Sequence, residues 1–157
     1  MAEMLDGSAA GLQLAWPIKR SFQDYVADAD GEIEVRDGAA RTGHDFVFPG
    51  GPSGEGLHFT GAVSFRAHEG MLSVDLADPA IERLGEAWIV TVLAPLSGGV
   101  ASRIELARLP DLARLPDEVL GIPFATQPRL SILGVRLFGE VYQPGIALDV
   151  LRVESLR

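Results

Sequence analysis

The sequence predicts a mostly β domain: an antiparallel β-sandwich or barrel-like sheet of about nine or ten short strands, with one or two short helices. Apolar and polar residues alternate with period two in several runs separated by turn residues. The 18 Gly and 10 Pro are spread along the chain rather than bunched, as many short elements joined by turns require. A length of 157 residues with 47% apolar and 22% charged side chains suits one globular domain, residues 1–157, with its core over about 12–153.

Leu12, Leu14 and Trp16 alternate with Gln13 and Ala15, a short half-buried strand. Pro17 can open a helix, because the first helical N–H has no partner to lose, and Asp28-Ala29-Asp30-Gly31 can stop one; a helix is expected over Pro17–Ala27. Ser21 and Tyr25 then share a face, with Phe22 and Val26 beside them. Glu32–Arg36 alternates before the Asp37-Gly38 turn. Asp45–Phe48 is short and runs into Pro49–Gly54, a loop by composition. Leu57 to His68 reads as one strand with an apolar odd face and a polar even face. Glu69-Gly70 turns the chain into Met71–Leu76, so these two runs form a hairpin. Trp88–Leu93 and Arg103–Leu109 are further strands, and Glu118–Ala125 a short helical turn. Leu130–Phe138 reads as a strand interrupted at Gly134, and Ile146–Val153 as the closing strand.

Composition narrows function mainly by exclusion. A formal net charge of −9 argues against nucleic acid, whose phosphates require a positive surface, and against docking to anionic lipid. With no cysteine there are no disulfides, zinc–thiolate sites, iron–sulfur clusters or thioether-attached haem. No apolar run is long enough to insert into a membrane as a helix. The opening Met1–Gly7 lacks a basic region and is not a secretory signal. The expected location is the cytoplasm, or the cell surface or exterior where an export signal has been removed. Nucleophile-elbow, phosphate-loop, dinucleotide and zinc-protease motifs are missing. Asp28/Asp30 and Asp75/Asp78 sit in turn-like settings and read as solvated surface, so the sequence does not point to an enzyme.

Of the three histidines, His44 lies in a turn. His58 and His68 share a strand face about 33 Å apart on an extended chain and cannot hold one metal. Tyr25 and Tyr142 read by default as core aromatics. Tyr25 has Ser21 one turn earlier, Phe22 beside it, and Lys19 and Arg20 nearby, which hints at a polar, slightly cationic end of an apolar slot.

Three segments carry a resemblance. Trp16-Pro17-Ile18-Lys19-Arg20-Ser21-Phe22-Gln23-Asp24-Tyr25-Val26 is similar to the opening of HtaA domains, haem-binding modules of actinobacterial haem uptake. Phe59–Leu72, with Gly61, Val63, Phe65, His68 and Gly70, resembles the family's second signature, which Asp78-Pro79 continues. Phe138–Asp149 resembles its closing segment. The three lie in order from Leu12 to Asp149. The chain departs in the short Gly-rich Pro49–Glu55 loop, in having one copy of the domain without an export signal, and in lacking a proline after Asp149.

The resemblance implies ferric haem b as cofactor, Tyr25 as the iron ligand and His68 hydrogen-bonded to it. Ser21 would lie near the haem, and Phe22, Phe65, Phe138 and Tyr142 would line the pocket. The haem carboxylates would need donors, for which Lys19, Arg20 and Arg66 are candidates. A phenol titrates near pH 10 in water, so it ligates at neutral pH only when ferric iron and a hydrogen-bonding neighbour stabilise the phenolate. An anionic oxygen favours Fe(III), which suits carriage more than oxygen binding. The implied function is transport, transfer or buffering of haem by a monomer or homodimer, with another haem-carrying protein as partner. The alternatives are a module for another flat apolar ligand and a haem-dependent peroxidase-like enzyme.

Overall fold

A computed structural model describes residues 11–95, 100–112 and 123–155. In chain order the elements are β1 (Leu12–Trp16), α1 (Arg20–Asp28), β2 (Glu32–Arg36), β3 (Ala40–Thr42), β4 (Asp45–Ser53), β5 (Gly56–Phe59) and β6 (Ala62–Ala67). A 3₁₀ turn at His68–Gly70 leads into β7 (Leu72–Leu84), β8 (Ala87–Pro95), β9 (Ala101–Arg108), β10 (Phe124–Thr126), β11 (Arg129–Leu130), α2 (Ile132–Leu137) and β12 (Leu151–Ser155).

All the strand pairings are antiparallel, as the alternation predicts. Nine strands follow one path, β10-β12-β1-β4-β5-β7-β8-β9-β11; β3 pairs with β4, and β6 lies between β2 and β7. The strands at the two ends of that path, β10 and β11, are separated in the chain by only Gln127 and Pro128. The sheet therefore curls until its ends come together, which is the barrel-like form expected of the sequence. One apolar core fills the curl, with Trp16, Phe22, Phe46, Phe48, Phe59, Phe65 and Phe138 among its largest buried side chains. β1 is buried on both faces rather than half-buried.

The helix begins at Arg20, three residues later than Pro17. Ile18 takes φ 68°, and Pro17–Lys19 is a turn in which the Lys19 N–H donates to the Pro17 carbonyl at 2.8 Å. The helix ends in a left-handed Asp30 (φ 56°), with the Gly31 N–H returning to the Val26 carbonyl at 2.8 Å. A Cβ at Gly31 would stand 2.1 Å from the Arg66 carbonyl, so the end of α1 is pressed onto β6.

Other expectations are corrected. Leu57–His68 is two strands, because Gly61 (φ 130°) turns a corner and Asp78 clamps it. The Gly61 N–H donates to Asp78 Oδ1 at 3.1 Å, and the Asp78 N–H to the Gly61 carbonyl at 2.7 Å. Pro49–Ser53 continues β4 and pairs with β5; a Cβ at Gly50 would lie 2.1 Å from the His58 carbonyl, so the glycine serves strand contact rather than a loop. Leu130–Phe138 is mostly the helix α2, because Gly134 packs on the Leu106 carbonyl, where a Cβ would approach to 2.4 Å. Residues 118–122 of the expected helical turn lie outside the described residues, while Phe124 and Ala125 are extended and pair with β12. The closing strand starts at Leu151 rather than Ile146, although Ala147 bridges Arg129. Nor are Asp75 and Asp78 merely solvated: Asp78 clamps the corner, and Asp75 accepts from Ser64 at 2.6 Å and Arg66 at 3.0 Å.

Candidate functional site

Helix α1 presents two faces. Phe22, Gln23 and Val26 are buried, while Ser21 and Tyr25 face outward. Gln23 is buried but satisfied, donating to the Pro17 and His44 carbonyls and accepting from Arg41. The helix start is held by the C-terminal segment. The Arg20 N–H donates to Asp149 Oδ2 at 3.3 Å, Lys19 Nζ to the Ala147 carbonyl at 3.0 Å, and Trp16 Nε1 to the Asp149 carbonyl at 2.8 Å. Its end is fixed by the Gly31–Arg66 contact, and β2 then runs along β6 with Ile33 opposite Phe65. α1 and the far end of β6 are thereby set in one frame.

β6 ends at Ala67, and the next three residues carry φ of 54° (His68), 57° (Glu69) and 91° (Gly70). Left-handed backbone is costly for a residue with a Cβ, so consecutive His and Glu there make a strained turn, the kind that recurs at binding sites. The turn takes His68 off the strand direction and brings its Nε2 to 2.8 Å from the Tyr25 hydroxyl, with the rings edge-on at 5.7 Å between centroids. Tyr25 is 37% exposed, so the pair lies at the surface rather than in the core.

Beneath Tyr25 lies an aromatic floor. Phe22 stacks with Tyr25 at 6.2 Å and meets Phe65 and Phe138 edge-on at 5.0 and 4.8 Å. Tyr142, in the segment after α2, packs 6.1 Å from Phe138, and its hydroxyl lies 2.9 Å from Ser21 Oγ. Lys19 Nζ sits 5.7 Å from the Tyr142 ring centre. Burial, opposed in part by the Ser21 hydrogen bond, pushes the Tyr142 phenol above its ordinary range, so it remains a neutral donor at physiological pH.

Seven of the eight residues singled out from the sequence thus converge: Tyr25, His68, Ser21, Phe22, Phe65, Phe138 and Tyr142. Arg66 does not. It points to the other face of β6 from Phe65, and its guanidinium is held by Asp75 at 3.0 and 3.2 Å. The Lys19 ammonium is bonded to the Ala147 carbonyl, and Arg20 is exposed at the helix start. His44 and His58 stand apart, the latter 3.2 Å from Glu82. The sequence reading missed Leu72 and Gly139, which bring the two sides of the site together: a Cβ at Gly139 (φ 68°) would meet Leu72 Cδ1 at 3.0 Å. The advance signal was that both residues lie inside the segments Phe59–Leu72 and Phe138–Asp149 that carry the family resemblance.

The arrangement offers a part-exposed phenol oxygen with an imidazole on it, over aromatic rings that are themselves buried in the core, with two further hydroxyls at one end. Chemically that suits a ligand with a Lewis-acidic centre that can take the phenol oxygen, and with polar substituents near the hydroxyls.

Comparison with known proteins follows the same lines. The family model HtaA, described as Htaa, matches residues 11–154. The fold is similar to the C-terminal domain of HtaA from Corynebacterium glutamicum, with a TM-score of 0.76 at 22% identity, covering 94% of this chain and 96% of that one. It is similar also to the N-terminal domain of HtaA from that organism, with a TM-score of 0.72 at 23% identity and coverage of 95% and 98%. A third similar structure is the heme binding protein HtaB from Corynebacterium glutamicum, with a TM-score of 0.70 at 19% identity and coverage of 94% and 95%. Among curated proteins none matches the chain.

Proposed function

Because this chain belongs to the HtaA family, we propose that it is a haem-holding module in which Tyr25 is the axial ligand of ferric haem b, serving transport, transfer or buffering rather than catalysis. The observation that carries the reading is the Tyr25 hydroxyl, exposed at the edge of the Phe22 floor with His68 Nε2 at 2.8 Å. A tyrosine in a purely structural role would more commonly bury its ring and hydrogen-bond within the core.

Bound haem would supply a Lewis-acidic iron that favours phenolate over phenol. Everything else comes from the chain. His68 Nε2 would hold the Tyr25 oxygen in place from 2.8 Å and, in the tautomer that leaves this nitrogen unprotonated, would take the proton that oxygen gives up. Phe22, packed against Phe65 and Phe138 in the core, backs the Tyr25 ring and fixes its direction. Ser21 and Tyr142 offer hydroxyl donors to a haem carboxylate, in place of Arg66, which is tied to Asp75.

A haemin titration followed by absorbance tests the reading. Wild-type protein is expected to saturate near one equivalent with a high-spin ferric Soret spectrum, and Tyr25→Phe to lose that spectrum. If the two titrate alike, Tyr25 is not the ligand.

A further inference from the structure

A cleft of about 470 Å3 opens where the end of β9, β11 and the start of α2 meet, and it shares no lining residue with the group around Tyr25. Its shape follows from a β-bulge. In β9, Glu105 pairs with Thr91 and Ala107 with Val90, so Leu106 is the extra residue. The bulge puts Glu105 and Arg108 on one face, where Arg108 Nε donates to Glu105 Oε2 at 2.8 Å. It also leaves the Leu106 carbonyl to accept the Ser131 N–H at 3.0 Å, which seats α2 against β9. So seated, α2 leaves Ile132 71% and Leu133 44% exposed along the cleft. Leu130 lies buried between them and Pro144, with its N–H on the Ile146 carbonyl at 2.9 Å and its carbonyl taking the Gly145 N–H at 2.8 Å. The walls are thus built by hydrogen bonds within the chain.

The charges here run against those of the whole chain. Its net charge is −9, yet the cleft is lined by two arginines and one carboxylate, Glu105. Asp111 follows Pro110 in the chain but does not line the cleft. Arg108 and Arg129 are direct cross-strand partners, and like charges placed opposite one another destabilise a sheet unless something compensates them. Glu105 compensates one of the two. It takes Arg108 Nε at 2.8 Å and Nη2 at 3.4 Å, and the Ser131 hydroxyl at 2.6 Å. Arg129 instead donates through Nη1 to the Gly145 carbonyl at 3.0 Å, its hydrogen bond among the described residues. One positive charge is left over, with Arg108 Nη1 and Arg129 Nε and Nη2 still able to donate.

A leftover guanidinium charge beside aliphatic walls suits a carboxylate carried on an aliphatic body. The carboxylate matches the guanidinium fork, and between two opposed arginines it removes their repulsion. The size of the cleft fits a small molecule, whose sites span about 300–1,000 Å3, better than a protein partner, which covers about 800 Å2 of each surface. We propose that this cleft binds a small aliphatic carboxylic acid, its carboxylate at Arg108 and Arg129 and its chain along Leu130, Ile132 and Leu133. The site is independent of Tyr25 and of what Tyr25 holds.

Octanoate, kept below the concentration at which it self-associates, is the probe, and octanol its uncharged control. Each is titrated into the nitrogen-labelled, ligand-free chain and followed by amide shifts. Octanoate shifts should saturate and cluster at residues 105–110, 129–133 and 144–146, with octanol bound about three- to tenfold more weakly. Arg129→Met should weaken octanoate by a similar factor of about three to ten and leave octanol unchanged. Ile132→Ser, which changes an exposed side chain and spares the fold, should weaken both. Shifts that do not saturate, shifts centred on Tyr25, His68 and Tyr142, octanol bound as tightly as octanoate, or full octanoate affinity in either folded variant would overturn the proposal.

Discussion

Replacing His68 by glycine and by alanine separates two things the residue does: it holds the Tyr25 hydroxyl, and it tolerates a left-handed backbone. Its φ is 54°, a conformation that costs a residue with a Cβ about 1–2 kcal/mol. Its Nε2 is 2.8 Å from the Tyr25 hydroxyl, a hydrogen bond with a net value of about 0.5–1.5 kcal/mol. Alanine keeps the strain and loses the bond, so His68→Ala should cost about 0.5–1.5 kcal/mol. Glycine loses the bond and sheds the strain, at an entropic penalty of about 0.5–1 kcal/mol, so His68→Gly should fall within about 1 kcal/mol of wild type. If Tyr25 is the ligand as proposed, both variants should bind haemin about 10- to 100-fold more weakly, because both lack the imidazole on its oxygen. Urea unfolding of the ligand-free proteins gives the first pair of numbers and haemin titration the second. His68→Gly less stable than His68→Ala by the full glycine penalty of about 0.5–1 kcal/mol would refute the strain, and wild-type haemin affinity in His68→Gly would refute the positioning role.

The remaining expectations concern the frame around the site. Gly134→Ala places a Cβ 2.4 Å from the Leu106 carbonyl, a backbone atom that cannot move cheaply, and should cost about 1–3 kcal/mol by chemical denaturation. Burial raises the Asp75 carboxyl, but hydrogen bonds from Ser64 and Arg66 and the charges of Arg66 and Arg36 outweigh it, leaving it below the usual range. Its stabilising contribution is therefore full above the unfolded value of about 4 and is lost as pH falls through the lower folded value. Asp75→Asn should flatten the acid limb of a stability-against-pH curve; an unchanged limb would assign that limb to other carboxylates. In an alkaline absorbance titration the Tyr142 phenol should ionise above the ordinary phenol value of about 10. That late step should be missing in Tyr142→Phe, and its persistence would mean that burial does not act on this ring.

Period-two alternation was enough to read β2, the first part of β7 and β9, where more and less buried residues alternate, while β6 and β8 are buried along most of their length and were legible as runs of β-forming residues. It failed where backbone approach overrode side-chain pattern. At Gly50 and Gly134 a glycine marks where another chain segment comes close, yet in sequence the first looks like a loop and the second like a strand break. The corner at Gly61 was hidden for a similar reason: alternation continues across it, and the clamp at Asp78 is seventeen residues away. Most of the site was legible because Ser21, Phe22 and Tyr25 share one helix and Phe65 and His68 one strand and its turn. Arg66 was misplaced because same-face spacing along an extended strand assumes that His68 continues the strand, and the left-handed turn at His68 breaks that assumption.

The tether between α1 and the C-terminal segment also bears on the order in which the protein can be finished. Arg20 and Asp149 are 129 residues apart, and the bonds from Trp16 and Lys19 span similar separations. Domains are synthesised from the N-terminus, and contacts of long sequence separation form late because closing the loop must precede any gain from the contact. The helix bearing Tyr25 leaves the ribosome among the earliest elements but gains its anchor among the last. A nascent chain stopped short of Ala147 would carry Tyr25 on a helix whose start lacks these three bonds, so the placement of that tyrosine belongs to the completed domain and not to the growing one.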